Sequence, residues 1–228
     1  MSTAAQDAEK AAVAAAAVAQ IPQGIRLGLG SGSTLEKLVP LLAARVRAGL
    51  DVRCVPTSTR IASLAREHGL TLEDLGAEPL ALAVDGADEV DPRLQLVKGA
   101  GGALVRERIV ASAASRFMVL VDSSKLVGRL GQRMPLPVEI QQFGAERTRQ
   151  EVARKLGDAV LRVGAQGPVV SDNGGFLLDC RLSATGDLPG LASALRAIPG
   201  VVDTGLFLDF RPEVLVARDG KVEMISPG

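Results

Sequence analysis

Residues 80–110 read LALAVDGADEVDPRLQLVKGAGGALVRERIV. They hold two apolar, strand-like runs, each ending in a tight cluster of polar or glycine residues. Leu80 to Val84 stops at Asp85, with Asp88 three residues on. Leu94 to Val97 stops at Lys98 and a glycine turn, and that turn opens a helix carrying Glu107. Strands that break at polar turns and restart as helices are the units of an α/β sheet, and open α/β sheets bind ligands in the crevice beyond the carboxyl ends of their strands. Three carboxylates and one amine are therefore expected to converge at strand ends.

Asp85 and Asp88, on either side of Gly86, also suit a plain turn in which short carboxylates bond local backbone amides. Glu107 resists so bland a role. On a helical wheel it shares its face with Ala103, Val110 and Ala114, while Arg106 and Arg108 splay to either side and Val105 and Ile109 point away. Partial desolvation over small apolar neighbours is the general way a carboxylate is tuned to take and return a proton near neutrality. Lys98 stands directly before Gly99, Ala100, Gly101 and Gly102, and glycines let backbone amides close on an anion.

Upstream, a short apolar strand at Gly24 to Leu29 gives way to GSGSTLEKLVPLL, a glycine turn feeding a helix. Ser33 followed by Glu36 has the spacing of a capping box. The same turn suits a phosphate, because free amides, the positive end of a helix dipole and the hydroxyls of Ser31, Ser33 and Thr34 all favour an anion. The two readings are compatible. A dinucleotide fingerprint needs glycine where Ser33 stands and a Walker loop needs Gly-Lys after four spacers; neither is present, so no nucleotide cofactor is expected. Next, Asp51 to Val55 reads as a strand, and Thr57, Ser58 or Thr59 caps a helix ending near Gly69. Beyond residue 110, FMVLVDSSKLV is a β-rich run stopping at Asp122 and Lys125. Strands alternating with helical patterns at least four times predict a doubly wound, mainly parallel, Rossmann-like sheet.

From Pro135 the texture changes. MPLPVEI, helical AERTRQEVARKLG, strands AVLRV, VVSD and FLLDC around Asn173-Gly174-Gly175, helical LPGLASALRAIPG and then VVDTGLFLDF approximate β-α-β-β-α-β, with one strand too many. That order is ferredoxin-like, and a long hairpin broken at Gly164 to Pro168 accounts for the surplus. The closing segment, LFLDF then EVLVARDGKVEMI, reads as a hairpin returning to the first domain. The expected division is a Rossmann-like domain of residues 1–131 and 206–228 with an inserted α+β domain of residues 132–205.

The whole chain narrows the partners. Its 228 residues, 47% hydrophobic, can bury a full core. Lysine plus arginine equals aspartate plus glutamate at 26 each, which gives no support for nucleic acid or a membrane surface. Five phenylalanines are the only aromatic residues, so no stacking platform for bases is visible. Cys54 and Cys180 have no metal-ligand spacing and read as buried small hydrophobes in a reduced compartment. With His68 the only histidine, a histidine-rich metal cluster is excluded; an all-carboxylate Mg²⁺ site fits the composition, but nothing demands one. The alanine-rich start has acidic Asp7 and Glu9 where a signal peptide would be basic, and is expected to be a helix. No run reaches the ~18 apolar residues of a membrane span, and the expected location is cytoplasmic.

Three phrases carry a resemblance. GLGSGST at 28–34, DGADEVDP at 85–92 and KGAGGALVRERIVA at 98–111 resemble the type A ribose-5-phosphate isomerase family, whose members carry GxGTGST, DGADE and KGGGGAL-x-RE in this order and at similar spacing. The resemblance spans nearly the whole chain. Ser31 stands in place of the family's threonine, Ala100 in place of a glycine, and DSSK at 122–125 in place of DESK. The resemblance implies the inserted α+β lobe, and interconversion of ribose 5-phosphate and ribulose 5-phosphate through an enediolate, without cofactor or metal. It implies Glu107 as the base, Lys98 as the cation beside the enediolate, and Asp85 and Asp88 on the sugar hydroxyls. Further substrate contacts fall to Ser31, Gly32, Ser33 and Thr34, to Gly86 and Ala87, to Gly99, Ala100 and Gly101, and to Lys125. A homodimer or tetramer is implied. Two other classes compete: a sugar-phosphate sensor that binds without turnover, and a coenzyme A transferase-like enzyme whose glutamate forms a thioester.

Overall fold

Alanine, the best helix former, makes residues Thr3–Ala19 a helix, α1, in a computed structural model that describes residues 3–183 and 186–227. There follow β1 (Ile25–Leu29), α2 (Ser33–Arg47), β2 (Val52–Pro56), α3 (Thr59–Glu67) and β3 (Leu82–Gly86). Two very short strands, β4 (Glu89–Val90) and β5 (Leu96–Val97), precede α4 (Leu104–Ser112) and β6 (Phe117–Asp122). Then come β7 (Leu136–Ile140), α5 (Ala145–Leu156), β8 (Val160–Leu161), β9 (Val163–Gly164), β10 (Gly167–Pro168) and β11 (Phe176–Cys180). The chain closes with α6 (Leu188–Arg196), β12 (Val201–Thr204), β13 (Leu206–Phe207), β14 (Glu213–Arg218) and β15 (Lys221–Ile225). No helix among the described residues is long and apolar enough to cross a membrane.

These elements form two compact units. The first comprises Met1–Ala87, Arg106–Leu126 and Phe210–Gly228; the second comprises Asp88–Val105 and Val127–Asp209.

The first unit is a six-stranded sheet in the order β15-β14-β6-β3-β1-β2, parallel except for the edge strand β15. Alternate side chains point to opposite faces of a strand. One set, Leu27 and Leu29, Leu82 and Val84, Met118 and Leu120, Leu215 and Ala217, packs with Val13, Ala17, Leu35, Leu38 and Leu42 of the two long helices and Ile61 and Ala65 of α3. On the other set's face α4 comes so close that a Cβ on Gly28 would stand 2.5 Å from Val110 Cγ1 and 3.0 Å from Ala83 Cβ. Burial on both faces is what the near-continuous apolar strands anticipate.

The second unit holds a four-stranded antiparallel sheet in the order β12-β7-β11-β8, with α5 following β7 and α6 following β11. This is the expected ferredoxin-like unit, and the surplus strand is the small hairpin β9–β10 within the β8–β11 connection. Leu136, Val138, Ile140, Leu178 and Cys180 pack with Val152, Leu156, Ala192 and Leu195 of the helices. A three-stranded sheet, β13-β5-β4, accompanies it. Leu94–Val97 was expected to be a strand of the main sheet; instead β5 pairs antiparallel with β4 and β13. The Asp91 carboxylate explains the tight return between β4 and β5, since its Oδ1 accepts from the amides of Arg93 and Gln95, both at 2.9 Å.

Both cysteines are free and buried. Burial first, then the Glu73 carboxylate, pushes the Cys54 thiol from 9.0 up to about 12; burial and then Asp179 do the same for Cys180. At about pH 8 only roughly one folded thiol in ten thousand is ionised, so alkylation of the native chain is expected to be slow and to become fast on denaturation. These thiols ionise more easily unfolded than folded, so their contribution to stability is intact below pH 9.0 and is lost as pH rises toward about 12. A native chain that alkylates as fast as the denatured one would contradict the burial of both.

Candidate active site

In the first unit, β1 has β2 on one side and β3 on the other, so the sheet order reverses between β1 and β3. Beyond the carboxyl ends of such a pair is where doubly wound sheets take ligands. The loop after β1 runs there. Gly30 donates its amide to the Val84 carbonyl at 2.8 Å, and a Cβ on Gly30 would lie 2.6 Å from Asp85 Cα and 2.1 Å from its Oδ1. Only glycine lets the loop pass. Asp85, 2% exposed, accepts at Oδ1 from the amides of Ser31 (3.1 Å) and Gly86 (2.7 Å). Its carboxylate therefore fixes the loop at the strand end, as the turn-former reading expects.

The hydroxyls form a chain. Ser31 Oγ donates to Ser58 Oγ at 2.7 Å and also lies 2.7 Å from Thr57 Oγ1. A serine has one proton to give, so Thr57 is the donor in its pair with Ser31. Ser58 is the cap of α3, accepting from the Ile61 amide at 3.2 Å. The capping box expected at Ser33 and Glu36 is not formed. The cap position of α2 is Gly32 (φ 99°), with no side-chain hydrogen bond; Ser33 is already helical, and Glu36 accepts instead from Arg60 at 2.6 Å. Among the described residues no side chain caps the first-turn amides of α2, whose dipole end stands at the sheet's switch point. Of the neighbouring hydroxyl residues, Ser33 is exposed and Thr34 is buried.

Glu107 is 6% exposed. The wheel reading holds at Ala103 and Val110, which are buried, and at Ile109, which is 50% exposed; Ala114 and Val105 are both half-buried. Ala114, two residues past α4, bridges Leu80, two residues before β3, while Val110 covers Gly28. The helix thus runs back against the strands, and Glu107, one turn before Val110, lies toward the carboxyl ends of β1 and β3. Lys125 ends a 3₁₀ turn, Ser123–Lys125, at the carboxyl end of β6. Asp122 caps the turn at the Ser124 amide (3.0 Å), and buried Glu9 of α1 accepts at Oε2 from the Ser123 amide and hydroxyl, both 2.9 Å. Sequence reading passed over Glu9, although it stands four and eight residues before buried Val13 and Ala17 on one helix face.

In the second unit, Lys98 follows β5 and is 2% exposed. Its amide donates to the Gly205 carbonyl at 3.0 Å, and its Nζ lies 5.7 Å from the centroid of the Phe207 ring, in cation–π range. Asp88 is tied to the glycine turn: its Oδ2 accepts from the Ala100 amide at 2.8 Å, and its own amide donates to the Val97 carbonyl at 2.8 Å. Gly99 needs its glycine, having φ 103° and Leu104 Cβ 2.8 Å from where a Cβ would stand. Ala100 does not, since it is not among the positive-φ residues, so alanine there costs no backbone strain. Gly101 is exposed. Gly86 and Ala87 are half-buried at the end of β3, immediately before the chain enters the second unit at Asp88. The structure thus joins Asp85 to the Ser31 loop and Asp88 to the Lys98 loop. It also shows an unexpected residue on the latter loop: Arg162 donates to the carbonyls of Gly99 and Ala100.

Comparison with known proteins shows the family. The family model of Ribose 5-phosphate isomerase A (phosphoriboisomerase A) matches residues 53–221. Ribose-5-phosphate isomerase A of Maricaulis maris is 45% identical over 228 residues, covering 96% of this chain and 97% of its own; that of Sinorhizobium fredii is 46% identical over 226 residues, with the same coverage. Among solved structures, ribose 5-phosphate isomerase A from Methanocaldococcus jannaschii superposes with a TM-score of 0.90 at 36% identity, covering 95% of this chain and 97% of that one. A D-ribose-5-phosphate isomerase in complex with phospho-erythronic acid superposes with a TM-score of 0.91 at 37% identity and the same coverage. The chain belongs to the ribose 5-phosphate isomerase A family.

Proposed function

We propose that the chain interconverts ribose 5-phosphate and ribulose 5-phosphate through an enediolate, as a step of the pentose phosphate pathway. The observation that carries the reading is Glu107, a carboxylate 6% exposed on α4 toward the switch point where the uncapped start of α2 suits a phosphate. Glu107 takes the proton from C2 of the open-chain aldose. The electron pair forms the C1–C2 double bond and the carbonyl oxygen O1 becomes negative. The same carboxyl then returns the proton to C1, while O2 loses its hydroxyl proton and becomes the ketose carbonyl and O1 gains one. Lys98 stabilises the enediolate oxygens as a fixed cation. Asp85 and Asp88 hold sugar hydroxyls and pass their protons, including those of ring opening.

Substrate binding falls to the residues 31–34 loop, the Gly86–Ala87 and Gly99–Gly101 backbone, and Lys125. The phospho-erythronic acid complex of the similar isomerase supports a phosphorylated, acyclic sugar as ligand. We place the enzyme in the cytoplasm as a homodimer, or a pair of such dimers, with the segment at residues 132–205 as its inserted domain. Family membership favours this reading over a sensor or a coenzyme A transferase. The test is direct: the purified chain, assayed with and without chelator, forms ribulose 5-phosphate from ribose 5-phosphate at the same rate. Tight binding with no ketose formed would overturn the reading in favour of the sensor.

A further inference from the structure

The loop carrying Lys98 is gripped by a side chain from the four-stranded sheet of the same unit. Arg162 Nη1 donates to the carbonyl oxygens of Ala100 (2.9 Å) and Gly99 (3.3 Å), while its Nε and Nη2 donate to Asp179 Oδ2 (2.9 Å) and Oδ1 (2.5 Å). Strand register explains the reach. Val160 pairs with Asp179 and Leu161 with Leu178, and the Arg162 amide donates to the Leu177 carbonyl, so Arg162 and Asp179 are diagonal neighbours on one face. Pro137 and Leu177 share that face and press on the same loop: a Cβ on Gly99 would lie 3.2 Å from Pro137, and one on Gly102 would lie 3.0 Å from Leu177. The two-pronged guanidinium is pre-organised to hold a carboxylate and still present a donor elsewhere.

What the grip does follows from peptide geometry. In a trans peptide the C=O and the next N–H point in opposite directions. Holding the carbonyls of Gly99 and Ala100 therefore aims the amides of Ala100 and Gly101 away from Arg162. The first is found on Asp88 Oδ2 at 2.8 Å, and a Cβ on Gly101 would meet open space. We propose that Arg162, braced by Asp179, is a positioning residue for the isomerisation: it sets the Gly99–Gly101 peptides and, through the Ala100 amide, the Asp88 carboxylate that holds the sugar. This rests on reading Asp88 as a substrate-contacting residue.

The experiment measures kcat, KM and thermal unfolding of the full chain for Arg162→Ala, Arg162→Lys, Asp88→Ala and the double variant Arg162→Ala with Asp88→Ala. Arg162→Ala is expected to lower kcat about tenfold or more with KM changed less than about threefold, and Arg162→Lys, whose single ammonium cannot serve carboxylate and carbonyls together, to lose several-fold. With Asp88 already removed, Arg162→Ala is expected to cost under about threefold, a coupling that a merely structural role would not produce. Wild-type kcat in a folded Arg162→Lys, or losses that multiply in full in the double variant, would overturn the inference. If Arg162→Ala does not fold, Arg162→Lys decides alone, its wild-type kcat overturning the inference and a several-fold loss without thermal shift sustaining it. Asp88→Ala with wild-type kcat would instead strike the reading of Asp88 itself, and the role of Arg162 with it.

Discussion

Glu107→Gln abolishes turnover, lowering kcat by about a thousandfold or more, and leaves ribose 5-phosphate bound within about tenfold. Glutamine has the shape of glutamate but no basic oxygen, so neither the C2 proton can be taken nor the C1 proton returned. Binding survives because the phosphate, hydroxyl and backbone contacts assigned to other residues remain. The fold survives as well, since the side chain keeps its volume among Leu104, Val110 and Ala111. The measurements are the ketose assay and a calorimetric titration with ribose 5-phosphate, run on a variant whose unfolding temperature matches the wild type. Binding and rate falling together would make Glu107 a binding residue and move the base elsewhere. Hydroxylamine trapping after incubation with acyl-coenzyme A gives a second check, because a transferase glutamate would be caught as its thioester and an isomerase glutamate would not.

Period and punctuation made much of this legible. The 3.6-residue spacing set Glu107 with Ala103 and Val110, and those residues are buried together. The apolar runs with glycine stops anticipated the doubly wound sheet, and the helix-strand order after Pro135 anticipated the ferredoxin-like sheet. Other features depend on pairings between distant segments. Leu94–Val97 has the composition of a main-sheet strand, yet Leu94 sits at φ 59° and only Leu96–Val97 pair, with β4 and β13. Ser33 and Glu36 have the spacing of a capping box, but Arg60, from another helix, holds Glu36. Arg162 in AVLRV looks like any outward strand residue until the β8–β11 register sets it diagonal to Asp179, seventeen residues on. Glu9 is the reverse case, since its apolar-face position was there in the periodicity and its partner, Ser123, was not.

Lys98→Met lowers kcat about a hundredfold, the ~3 kcal/mol expected of one preorganised charge beside a developing oxyanion, and raises KM as well. The choice of methionine follows from the site. Lys98 is 2% exposed and its ammonium lies over Phe207, so alanine would leave a hole in addition to removing charge. Methionine fills similar volume and makes its own favourable sulfur–ring contact, and the backbone hydrogen bond from residue 98 to the Gly205 carbonyl is untouched by side-chain change. A fall in kcat at unchanged unfolding temperature therefore reports the charge. Charge that grows on O1 and O2 only as the C2 proton leaves is stabilised more in the transition state than in the bound aldose, which is why kcat suffers more than KM. Arginine is not expected to rescue, because a planar, forked guanidinium does not reproduce the compact point charge of a buried ammonium. If Lys98→Met kept the wild-type rate, the enediolate would have to draw its stabilisation from hydrogen-bond donors alone, and the Gly101 amide, aimed outward by the hold of Arg162 on the Ala100 carbonyl, would become the leading candidate.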